Sequence, residues 1–198
     1  REKHEAMSGP VPEGVPSWHR LVARTGPLSD EHPWPASSDT ALIQYTGGTT
    51  GTPKGAVLTH RNLFANVVQA RAWLGSRDGT EVLDAVLPFF HAFGLTVCLA
   101  YGTSIAATLV VLPSFDVDMV LAAQKRRPAT FMPAVPPMLD RLSRAAERKG
   151  VDLTSIRHAI SGAMALPPEV ARRWEELTGG LVIEGYGMTE TSPVALGN

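Results

Sequence analysis

TALIQYTGGTTGTPKGAVLTHRNLFANVVQARAWLG, residues 40–75, sets an apolar run, a glycine–threonine loop and an amphipathic stretch in immediate succession. Residues 40–44 read as a strand ending at Tyr45, and Thr59 stands as the N-cap of a helix that closes at Gly75. Between them Gly47, Gly48 and Gly51 allow close backbone approach and positive φ. Thr46, Thr49, Thr50 and Thr52 supply hydroxyls, and Lys54 adds a cation. A triphosphate is a small, highly charged object that needs many donors packed around it, and this loop has them. It is not a Walker loop, because Pro53 occupies the place where that pattern needs glycine before the lysine.

The alternation continues outward from this unit. EVLDAVLP (81–88), TLVVLP (108–113), ATFMP (129–133), SIRHAIS (155–161) and LVIEGYG (181–187) read as strands. Helices are expected over about 93–107, in VDMVLAAQKRR (117–127), over about Pro136–Lys149 and in PPEVARRWEELTG (167–179), the last two opened by proline. Strands alternating with helices predict an α/β fold, a largely parallel sheet with flanking helices. Residues 1–39 carry six prolines and little periodicity. They read as a proline-rich connection with one short helix near Trp18–Arg24, ahead of a nucleotide-binding α/β segment over 40–198.

Composition narrows the class without naming it. The 198 residues are 44% hydrophobic and 19% charged, which suits a globular enzyme of the cytoplasm and is too apolar for a disordered chain. Eighteen basic against 19 acidic residues leave a formal charge of −1, so no nucleic-acid surface is expected. Cys98 is the single cysteine and excludes a disulfide framework within the chain; the six histidines show no metal-ligand spacing. The stretch from Phe89 to Phe115 carries no charged residue. Pro88, His91, Gly94, Gly102, Thr103 and Ser104 interrupt it, so a buried helix and strand are expected there and not a transmembrane segment. The N-terminus has no initiator methionine and no apolar signal-peptide core, and looks like the start of an excised piece.

A second phosphate-type motif follows far downstream, EGYGMTET at 184–191. Tyr186 offers a flat face for an adenine ring, Gly185 and Gly187 keep the backbone slim, Thr189 can bond a phosphate oxygen, and Glu190 can hold Mg²⁺. The motif ends a strand, where open α/β sheets place ligands.

TGGTTGTPKG followed by Thr59-His60-Arg61-Asn62 resembles the phosphate-binding signature of the adenylate-forming superfamily: acyl-CoA synthetases, luciferases and peptide-synthetase adenylation domains. LPFFHAFGL, SGAMAL (161–166) and LVIEGYGMTET resemble its further motifs in the same order. Adenylation domains usually carry aspartate in the FHAF region and proline at the place of Met188. The chain looks most like bacterial long-chain fatty acyl-CoA ligases, as part of the large N-terminal domain. The resemblance implies ATP, Mg²⁺ and CoA as the second substrate, with a fatty carboxylate activated as acyl-adenylate. It implies catalytic roles for His91, Thr189 and Glu190, and Mg²⁺ at Glu190 and Thr46. The nucleotide would lie against residues 46–52, Lys54, Gly162, Ala163, Met164, residues 184–187 and Thr189, with His91, Gly94 and Gly185 bordering the carboxylate. Ala163 and Ala165 stand where relatives often have glycine and proline.

The family's ribose-binding aspartate motif, hinge and C-terminal lysine domain are not in the 198 residues, so this polypeptide alone is expected to show negligible ligase turnover. Two alternatives stay open, an acyl-AMP ligase or adenylation domain that loads a carrier protein, and a segment that binds nucleotide without turnover. Peripheral membrane contact of the parent protein is compatible with the resemblance. Acyl chain length, acceptor and oligomeric state are not written in these motifs.

Overall fold

The computed structural model describes residues 13–27, 33–47 and 51–198. The chain forms two compact units, Arg1–Pro35 and Ala36–Asn198. The first contains helix α1 (Trp18–Arg24).

The second unit is built on a six-stranded sheet. Its strands are β3 (Val82–Ala85), β4 (Thr108–Val111), β5 (Phe131–Ala134), β6 (His158–Ser161), β7 (Leu181–Gly187) and β8 (Val194–Gly197), in the spatial order β4-β3-β5-β6-β7-β8. All neighbours are parallel except β7 and β8, so the largely parallel sheet expected from the alternation is present. Residues 40–59 behave differently. They form a separate antiparallel pair, β1 (Thr40–Thr46) with β2 (Lys54–Thr59), and Lys54 begins a strand rather than ending a loop. The first strand therefore stands outside the main sheet, a correction to the simple strand–loop–helix reading.

Local chemistry explains the helix ends. Helix α2 (His60–Leu74) starts in a capping box, with Asn62 N–H donating to Thr59 Oγ1 (3.2 Å) and Thr59 N–H to Asn62 Oδ1 (3.0 Å), and stops at left-handed Gly75. Asp116 caps α4 (Val117–Arg126) by accepting from the amides of Asp118 and Met119. Prolines open α5 (Pro136–Lys149) and α6 (Pro168–Thr178), and left-handed Gly150 and Gly179 close them. The helix expected over 93–107 is shorter and partly π-helical, over Gly94–Ala100, before a single α-turn, α3 (Tyr101–Ser104). Among the described residues no helix is long and apolar enough to cross a membrane.

Two apolar clusters hold these helices on the sheet. One joins Leu121, Leu139, Leu142 and Trp174 of α4, α5 and α6 to Met132, Ala134, Ala159 and Val182. The other joins Ala70 and Leu74 of α2, Val97 and Tyr101 to Leu83, Phe131, Ile160 and Ile183. At the N-terminal edge of the parallel strands the buried Glu81 carboxylate accepts from Arg157 Nη2 at 2.6 and 2.7 Å and from the Thr130 hydroxyl, tying the entries of β3, β5 and β6 together. Burial pushes this carboxyl up, but the Thr130 hydroxyl, the Arg157 guanidinium and the Arg77 amide more than offset that and hold it below the usual glutamate range. With that edge fixed, the opposite edge is free to carry chemistry.

Candidate active site at the carboxyl edge of the sheet

The motif segments are brought to the C-terminal ends of β6 and β7 by long-range polar ties. Gln44 of β1 donates its side-chain amide to the Phe90 carbonyl (2.8 Å), anchoring the hairpin beside the turn that bears His91. The buried Thr96 hydroxyl donates to the Ser192 carbonyl (2.9 Å), joining the π-helical turn to the residues after Glu190. Asn66 of α2 brackets Val194 of β8, donating to its carbonyl (2.7 Å) and accepting from its amide (3.2 Å). Glu184 Oε1 accepts from the Leu166 amide (3.0 Å), closing the loop after β6 onto β7. Each tie satisfies a backbone group that a loop would otherwise leave to water, so the loops are held in place.

Two glycines permit the close approach. A Cβ on Gly94 would lie 2.2 Å from the Pro88 carbonyl oxygen, and one on Gly187 would lie 2.1 Å from that of Pro193. Gly94 accordingly packs under the His91 turn and lines neither of the two cavities at this edge. The π-helical segment follows directly, a geometry frequent at functional sites.

The edge opens into a cavity of about 360 Å³. Thr46, His91, Thr189 and Glu190 supply its polar lining, and Trp73, Phe93, Ile160, Pro193 and Val194 its apolar lining. A second cavity, of about 750 Å³, is lined by Ala163, Met164, Glu184, Leu196, Gly197 and Asn198. Gly185, Tyr186 and Gly187 border both, so the end of β7 is their common wall. Gly162 lines the first cavity and Ala163 both. Lys54, Gly47, Gly51 and Thr52 are exposed and line neither, and Gly48, Thr49 and Thr50 lie outside the described residues. The Thr46 hydroxyl points back to the Lys54 carbonyl at 3.4 Å, across the base of the loop.

His91 Nδ1 accepts from the Phe93 amide (3.1 Å), so a neutral ring keeps its proton on Nε2 as a donor. Glu190 is exposed in a short 3₁₀ turn and makes no hydrogen bond or ion pair among the described residues. No group of three or more His, Cys, Asp or Glu side chains that could hold a metal ion occurs among the described residues. Glu190 and Thr46 line the same cavity, and one carboxylate with one hydroxyl would fit Mg²⁺ that keeps most of its shell from other oxygen ligands, not a protein-caged metal. When bound, such an ion would neutralise negative charge beside it.

Ala163 adopts φ of +69°, a left-handed conformation that costs a Cβ-bearing residue about 1 kcal/mol or more. Ala163→Gly is expected to raise stability by about 0.5–1 kcal/mol in chemical denaturation, the relief of strain partly offset by glycine's greater chain entropy. The lining residues that sequence reasoning missed include Trp73, Phe93, Ile160, Pro193 and Val194. Each reads as an ordinary core position in its own element, and none carries a polar signal.

Residues 3–198 match the family model described as AMP-binding enzyme. The chain is 40% identical over 161 residues to the long-chain-fatty-acid–CoA ligase of Bacillus subtilis strain 168, covering 81% of this chain and 29% of the relative. It superimposes on the ATP-bound MatB of Rhodopseudomonas palustris with a TM-score of 0.71 and 34% identity, covering 83% of this chain and 32% of that one. The long-chain-fatty-acid–CoA ligase of Archaeoglobus fulgidus gives a TM-score of 0.70 and 32% identity, covering 81% and 33%. The chain thus spans about 29% of the length of the curated relatives it matches. With a family model matching almost every residue, and a mostly parallel sheet whose carboxyl edge bears Gly162 and the Gly185–Gly187 segment, this chain belongs to the AMP-binding enzyme family.

Proposed function

We propose that this chain forms part of a cytoplasmic, ATP-dependent fatty acid–CoA ligase. The observation that carries the reading is the common wall at 185–187, which sets a cavity with the Ala163–Met164 turn on one side and a partly apolar cavity with His91 on the other. The adenine would stack on Tyr186 from the second cavity, and the hydrocarbon tail of the acid would occupy the first. A carboxylate oxygen then attacks the α-phosphorus of ATP. The bond from that phosphorus to the bridging oxygen breaks, and pyrophosphate leaves. In a second step the CoA thiol, losing its proton, attacks the acyl carbonyl and AMP departs.

The residues act by positioning and by charge. His91 would donate from Nε2 to the carboxylate or adenylate oxygen, Thr189 to a phosphate oxygen, and the loop with Lys54 would neutralise the departing pyrophosphate. Glu190 with Thr46 would hold Mg²⁺ on the phosphates. The acceptor is tested by thioester formation in the full-length polypeptide, offered fatty acid and ATP with either CoA or a phosphopantetheinylated carrier protein. Acyl-CoA is the expected product. Thioester on the carrier alone would replace the CoA ligase reading by a carrier-loading one.

A further inference from the structure

Trp73 lies near the end of α2, on the stretch of helix that follows Asn66, and it lines the first cavity while 40% exposed. It is the bulkiest side chain of the apolar lining. Its position is set from two directions. Asn66, two turns earlier, clamps α2 to Val194 of β8 through both backbone groups of that residue. At the other end of β8 a Cβ built on Gly197 would stand 2.0 Å from Trp73 Cη2 and 2.2 Å from Cζ2, so the indole rests directly on the bare α-carbon of Gly197. Gly197 is in turn the register partner of Gly185, which forms the wall shared by the two cavities. A flat ring seated in a glycine slot beside the carboxyl edge of the sheet bounds the first cavity.

We infer that Trp73, seated on Gly197, sets the size limit for the hydrocarbon tail of the carboxylic acid substrate. This rests on the ligase reading above. The two residues give opposite expectations from one geometry. Trp73→Ala removes the boundary and favours longer or bulkier acids. Gly197→Ala places a methyl where the indole now lies, drives the ring toward the cavity and favours shorter ones. A hydrophobic pocket distinguishes acids by about tenfold or more per methylene-sized change, so effects of that order are expected in relative kcat/KM.

The experiment measures acid-dependent exchange of pyrophosphate into ATP by the full-length polypeptide over a series of straight-chain acids. Wild type, Trp73→Ala, Trp73→Phe and Gly197→Ala are compared. The expected result is a ratio of kcat/KM for longer against shorter acids that rises about tenfold in Trp73→Ala, rises less in Trp73→Phe and falls about tenfold in Gly197→Ala, carried mainly by KM. A merely structural role would lower activity toward all acids by one common factor. Unchanged chain-length ratios in Trp73→Phe and in whichever of the other variants folds would overturn the assignment while leaving the ligase reading intact. No exchange with any acid in wild type would remove both the ligase reading and the inference that depends on it.

Discussion

Glu190→Gln is expected to weaken MgATP binding at least about tenfold, the equivalent of about 1.4 kcal/mol, in calorimetry on the full-length polypeptide, with no change in its thermal midpoint. The side chain is exposed and bonds to no other described residue, so removing its charge breaks nothing that holds the fold. It shares a cavity wall with Thr46, His91 and Thr189, where it is the carboxylate available to a hard cation. Affinity measured without Mg²⁺ should differ little between variant and wild type. Equal MgATP affinity in both proteins would dissociate Glu190 from the metal.

The largest expected effect on stability belongs to Asp84, which has no part in the proposed reaction. It sits in β3, fully buried, and neither carboxyl oxygen has a hydrogen-bond partner among the described residues. Burial pushes its pKa from 3.8 up to about 7. The folded state therefore holds this proton more tightly than the unfolded chain does. Below pH 3.8 both states are protonated and the group costs little. As pH rises toward 7 the unfolded chain ionises first, and the native state loses about 4 kcal/mol relative to it.

Asp84→Asn removes that titration. Its thermal midpoint at pH 8 is expected to exceed that of wild type by roughly 10 °C, a difference that shrinks toward pH 5. Glu81, three residues earlier, works in the opposite sense. Its carboxyl is held below the usual range, so its stabilisation is present above the ordinary glutamate value and is lost as pH falls through the depressed one. The acid limb of the stability profile should therefore survive in Asp84→Asn. Parallel profiles for variant and wild type from pH 5 to 8 would show that Asp84 does not titrate in this way.

The main sheet was legible because each of its parallel strands is a short apolar run bounded by glycine, proline or charge. Helix ends were legible for a similar reason, since Thr59 with Asn62, Pro136, Gly75, Gly150 and Gly179 act within one turn of themselves. What could not be read depends on distant partners. β2 is half exposed and pairs with β1 across the glycine-rich loop, so Lys54 and its neighbours looked like the tail of that loop. β8 is four residues long and is defined by its pairing with β7 and its clamp to Asn66. Trp73 carries no polar signal, and its place at the cavity depends on the missing side chain of Gly197, 124 positions further on. Asp84 was read simply as one letter of an apolar strand; its isolation is a property of the packed sheet.

The site residues divide along the same line. His91, Thr46, Thr189, Glu190 and residues 185–187 come together at one edge because the β7 strand and the His91 turn end there. Lys54 and the described loop residues Gly51 and Thr52 stand apart from the cavity lining, and the structure does not join them to the other site residues. Gly94 serves the backbone packing beneath His91.

In the proposed reaction one edge of this sheet joins a carboxylate to the α-phosphate of ATP. Fatty-acid-dependent exchange of labelled pyrophosphate into ATP, measured with the full-length polypeptide and without CoA, tests it directly. Exchange should require the fatty acid and Mg²⁺ together and should be strongly reduced in Glu190→Gln. A protein that binds MgATP yet shows no exchange with any carboxylic acid would contradict it.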